Sequence, residues 1–179
     1  RFSKDPEGDM NRLRDMGVRG LKVHGPHQLF RVNDYLNGNR TIQVMYEKAQ
    51  EWGWPVLIHT GTSIFHGARN KYGDPIDVED VMLDFPRLKI IMAHPGWPWV
   101  DETTAVALHK GNVFWEMSGW APKYFPGNLK VDIRGRLQDK VMFGSDYPSL
   151  PYERVLREWS ELGYKSEVME KIMQSWKWK

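Results

Sequence analysis

Lys140-Val-Met-Phe-Gly-Ser-Asp146-Tyr-Pro148 is the stretch on which the fold turns. Val141, Met142 and Phe143 make a short apolar run bounded by turn residues at Gly144 and Pro148, which is how a strand buried on both faces reads. Asp146 stands at its carboxyl end, where a bare carboxylate is costly unless backbone donors, a cation or a metal pair with it. The same format occurs twice upstream, in Trp54-Pro-Val-Leu-Ile-His59-Thr-Gly61 and Leu88-Lys-Ile-Ile-Met-Ala-His94-Pro-Gly96. Each is an apolar strand ending in a metal-competent side chain. In α/β barrels the carboxyl ends of the parallel strands carry the active site, so the three ends are expected to converge on one mouth.

Working outward, strand and helix signals alternate. Asp5-Pro6-Glu7 predicts a helix start, with a stripe of Met10, Leu13 and Met16 closed by Gly17. A strand is expected over Val18 to His24, and period two places Lys22 and His24 on one of its faces. A helix over Thr41 to Trp52, the strand to His59, a Gly-rich loop over Thr60 to Asp74 and a helix over Pro75 to Phe85 follow. After the strand to His94 come a helix from about Val100 to His109, a strand over Asn112 to Met117, a short helix through Leu129, Ile133 and Leu137, and the strand to Asp146. Two amphipathic segments, around Val155 to Leu162 and Val168 to Ile172, complete the pattern. This alternation argues a parallel sheet of five βα units in one domain, residues 1–179, with the tail of a sixth strand at Arg1 to Ser3.

The bulk numbers exclude several classes. With 41% apolar and 27% charged residues the chain reads as globular, and a formal charge of +2 without a basic stripe argues against nucleic acid. No run approaches a membrane span, and the amino terminus has no signal-peptide core. Zero cysteines remove disulfides and thiolate ligands and fit a cytoplasmic protein, leaving His, Asp and Glu as the metal set. The expected partner is a small-molecule substrate. Tryptophans in loops, such as Trp97 in Pro-Gly-Trp-Pro-Trp, suit either an aromatic substrate or plain packing.

His59, His94 and Asp146 together are the candidate constellation. A catalytic divalent ion takes about three protein ligands and leaves a position for water. Each residue alone also has a bland reading, a hydrogen-bonded histidine or an aspartate capping a turn. Lys22, His24 and Arg69 are candidate contacts for a substrate carboxylate. Glu116 alternates with Trp115 and is expected to be inconsequential unless a partner charge faces it.

On these motifs, together with Gly17-Val-Arg-Gly-Leu-Lys-Val-His24 and Asn112-Val-Phe-Trp-Glu-Met-Ser-Gly119, the chain resembles the metal-dependent amidohydrolase superfamily. Within it the likeness is to the amidohydrolase-2 branch that includes aminocarboxymuconate semialdehyde decarboxylase and resorcylate-type decarboxylases. The resemblance implies an α/β fold, a TIM-type (β/α) barrel of which these strands look like the fourth to the eighth. It implies His59 and Asp146 as ligands of a divalent metal, zinc first, and His94 as the residue that orients or deprotonates water. The family's first-strand His-x-His pair has no counterpart here, and a full barrel runs to about 250 residues. The expectation is therefore a partial barrel, either a fragment or an incomplete frame, whose open sheet favours a homo-oligomer. Three readings follow: a metal-dependent hydrolase or decarboxylase of a carboxylated cyclic or aromatic substrate, a non-catalytic barrel remnant, and a metal-free lactonase-type hydrolase.

Overall fold

The computed structural model describes residues 2–109 and 111–174. Asp5 caps α1 (Pro6–Asp15), accepting a hydrogen bond from the Gly8 amide, with Pro6 in the first turn. Next come β1 (Leu21–Val23), the single turn α2 (Gly25–Gln28) and α3 (Arg40–Trp52), which stops at Gly53 with φ of 68°. The pattern continues through β2 (Pro55–His59), α4 (Asp77–Asp84), β3 (Lys89–Ala93), α5 (Val100–His109) and β4 (Val113–Glu116). It ends with α6 (Gly127–Arg134), β5 (Val141–Met142), α7 (Tyr152–Ser160) and α8 (Ser166–Gln174).

The strands form one sheet in the order β1-β2-β3-β4-β5, every neighbouring pair parallel. Sequential parallel order is what successive βα units of a barrel produce. Register assigns the two faces. Val23, Val56, Ile58, Ile90, Met92, Val113, Trp115 and Val141 are fully or nearly fully buried in one apolar cluster with Ile42, Met82, Leu129, Ile133 and Trp159 from the helices. The opposite face carries Lys22, Leu57, Ile91, Phe114, Glu116 and Met142, paired along the ladder, and leads up to His59. Ile91 and Met142 are buried even on this face.

Four expectations change at the ends of elements. The strand expected over Val18 to His24 is shorter, because the Val18 amide donates to Leu13 O and closes the end of α1 behind Gly17. His24 leaves the strand to cap α2, its Nδ1 accepting from the His27 amide at 3.2 Å. In β5 the ladder ends early because the Phe143 amide donates to Ile172 O of α8. The tail of a sixth strand does not form at Phe2 and Ser3, and residue 1 lies outside the described residues. Among the described residues no helix is long and apolar enough to cross a membrane.

Candidate active site

Lys22, His24, His59, His94 and Asp146, from four different βα units, line a single pocket of about 180 Å³ at the carboxyl ends of the strands. An engineered protein cavity of roughly 150 Å³ holds benzene, so this space matches one ring. Trp120, Ser63 and Phe65 complete much of the wall. Arg69 is exposed and does not line the pocket; its amide donates to Pro26 O. Trp97 also stands outside the lining, tilted against Trp120 with ring centroids 5.8 Å apart.

Local backbone decides where His94 points. It follows β3 with φ of +73°, its amide donates to Glu116 O at 2.8 Å, and its carbonyl accepts from Trp115 Nε1 at 2.6 Å. Clamped at both ends, the residue holds the left-handed conformation that ordinary side chains avoid. Its ring lies edge-on to His59, with centroids 4.7 Å apart. Nδ1 is 3.0 Å from the Ser118 carbonyl oxygen and 3.2 Å from Ser118 Oγ. A carbonyl only accepts, so Nδ1 carries the proton and Nε2 keeps its lone pair. Gly119 makes this approach feasible, since a Cβ there would fall 2.6 Å from His94 Nδ1. Asp146 occupies the same backbone region, with φ of +59°, and is exposed at the pocket.

His24 and His59 stack face to face, with centroids 3.9 Å apart and planes within 17°. Burial pushes the His24 imidazole down to about 4 and that of His59 to about 2, with the neighbouring histidines and Lys22 adding like-charge repulsion. Burial also lowers His94. The unfolded chain therefore takes up protons near the ordinary histidine range that the folded chain refuses. Stability is expected to fall as pH drops below about 6.5, and to go on falling towards about 4 for His24 and about 2 for His59. Thermal melts between neutral and acid pH test this, and a His59→Gln protein that melts with the same acid slope would show that His59 is not the source.

Glu116 meets the exception attached to its expectation, since the Lys22 charge acts on it. It is buried on the strand face opposite the apolar cluster, does not line the pocket, and accepts from Ser118 Oγ at 2.7 Å. Burial pushes its carboxyl up to about 7, against the opposing pull of that hydrogen bond and of the Lys22 charge. Burial lowers Lys22, offset by the carboxylates of Glu116 and Asp146. The sequence signal was present in the alternation: Trp115 is completely buried on the helix side, which forces Glu116 inward.

Both ring nitrogens of His59 are buried without a hydrogen-bond partner, the donor chemistry that a divalent cation satisfies. Among the described residues no three His, Cys, Asp or Glu side chains are grouped closely enough to hold a metal ion. The donor set is thus suited to a metal but partial.

Parallel strands delivering titratable side chains to one mouth are the arrangement of a (β/α) barrel with its functional groups at the strand ends. A family model described as Amidohydrolase matches residues 7–175, and the chain belongs to that family. No curated protein matches. Among solved structures, an uncharacterized TIM-barrel protein from Bordetella bronchiseptica is 26% identical with a TM-score of 0.77, over 93% of this chain and 58% of that one. The 5-carboxyvanillate decarboxylase of Sphingomonas paucimobilis is 17% identical with a TM-score of 0.64, over 96% and 62%. A dihydroxybenzoic acid decarboxylase from a Polaromonas species, solved with bound manganese and an inhibitor, is 14% identical with a TM-score of 0.63, over 94% and 63%. The fold is a partial TIM-type barrel, and the chain spans less than two thirds of the length of each of these proteins.

Proposed function

We propose that the chain forms the strand-end half of a metal-dependent hydrolase or decarboxylase acting on a small carboxylated aromatic or cyclic compound. The observation that carries this reading is the unpartnered, buried His59 beside His94, within a pocket that also presents the Lys22 ammonium and the Asp146 carboxylate. A divalent cation held by His59 and Asp146, zinc in our reading, supplies polarisation of a substrate carbonyl or of water. Lys22 pairs with the substrate carboxylate. His24 and Trp120 flank a planar ring. His94 accepts a proton at Nε2 while Nδ1–H stays on Ser118.

Because this chain groups fewer than three ligands among its described residues, the remaining ones would come from further polypeptide or a second copy. That same shortage favours the rival reading, a barrel frame without catalysis. Metal analysis of the purified chain, paired with its mass in solution, separates the two. About one divalent ion per chain is expected, and Asp146→Asn is expected to remove most of it together with metal-dependent turnover. A chain that holds no metal in any association state sinks the enzyme reading for this polypeptide. Metal and turnover that persist unchanged in Asp146→Asn sink the assignment of Asp146.

A further inference from the structure

Glu116 is a buried carboxyl that the chemistry above does not use, yet its surroundings are specific. Ser118 Oγ donates to Glu116 Oε2 at 2.7 Å, and the same oxygen stands 3.2 Å from His94 Nδ1. Gly144 on the neighbouring segment leaves the space the carboxyl occupies, since a Cβ there would fall 1.4 Å from Glu116 Oε1. Glu116, Ser118 and His94 thus form a chain from the sheet interior to the pocket.

A hydroxyl points its one hydrogen in one direction at a time. With that hydrogen on Glu116, the lone pairs of Ser118 Oγ remain for the His94 Nδ1 proton, in agreement with the Ser118 carbonyl beside it. Without an acceptor at position 116 the hydroxyl can rotate and donate to Nδ1. That bond stabilises the opposite tautomer, with the proton on Nε2 and no lone pair for the pocket.

We infer that Glu116 is a positioning residue that engages the Ser118 hydroxyl hydrogen, keeps it from donating to Nδ1 against the Ser118 carbonyl, and so leaves His94 in the tautomer whose Nε2 is unprotonated. The inference rests on reading His94 as the proton-accepting group, but the tautomer can be observed without turnover.

The test uses the full chain with ¹⁵N-labelled histidine, reading the His94 ring nitrogens at about pH 8, above the range where Glu116 titrates. The wild type is expected to show a protonated Nδ1 and a bare Nε2. Glu116→Met, similar in length and without an oxygen to accept from Ser118 Oγ, is expected to raise the Nε2–H population several-fold. Ser118→Ala keeps the carbonyl acceptor and is expected to stay near wild type. In the Glu116→Met/Ser118→Ala double variant the effect of the methionine should vanish, a non-additivity that packing alone does not produce. Glu116→Asp, too short to reach Ser118, serves if the methionine variant fails to fold, and is expected to raise Nε2–H in the same sense. An unchanged tautomer in whichever Glu116 variant folds, or an equal shift with and without Ser118, overturns the relay. Absence of turnover in every protein, wild type included, would count against the proposed function and leave the tautomer result to decide this point.

Discussion

His94→Asn protein is expected to lose about 10²–10⁴-fold in kcat, with metal content and thermal stability close to wild type. Asparagine accepts the left-handed backbone that His94 occupies, at φ of +73°, so the clamp formed by Glu116 O and Trp115 Nε1 is retained. The change removes only the imidazole that faces His59 across 4.7 Å. Steady-state kinetics on a carboxylated aromatic, with metal analysis of the same samples, provide the check. A loss smaller than about tenfold would show that His94 is not the proton-accepting group. Parallel loss of the metal would instead make it a ligand.

Trp115→Ala is expected to have the largest effect on stability, about 3–5 kcal/mol, which for a chain of this size lowers Tm by roughly 6–20 °C. Trp115 is fully buried among the helix-facing side chains, so its removal opens a cavity in the one apolar cluster that joins sheet to helices. The same change withdraws the indole donor from the His94 carbonyl, leaving one buried acceptor under-satisfied at a cost of about 1–3 kcal/mol. Trp115→Phe separates these contributions by keeping much of the volume and deleting the N–H. A Tm drop of less than about 3 °C for the alanine variant would mean that the cluster collapses around the gap.

The strands and their polar ends were legible because hydrophobic runs cut off by Gly, Pro and a single polar residue survive any packing detail. His59, His94 and Asp146 were found that way, and the structure gathers them with Lys22 and His24 in one pocket. Glu116 was left conditional on a partner charge because alternation with Trp115 puts the two on opposite faces without saying which faces the helices. The four-residue α2 and the early end of β5 were not legible either. The end of β5 is set by the bond from Phe143 N to Ile172 O of α8, a partner fixed by tertiary position, whereas α2 is a single turn capped locally by His24, whose Nδ1 and carbonyl both accept from the His27 amide.

Apart from Leu29 behind α2, the only non-glycine residues with left-handed backbone among the described residues are His94 and Asp146. Such turns admit a short alphabet: glycine, and then asparagine, aspartate and histidine ahead of everything else. Two of those letters, aspartate and histidine, are also the ones that ligate metals and move protons. The turn that ends each of these strands therefore filters substitutions before any selection on activity. Random change at either position is more apt to exchange one chemistry for another than to install an inert aliphatic side chain, so this mouth can diversify in reaction while its backbone stays the same.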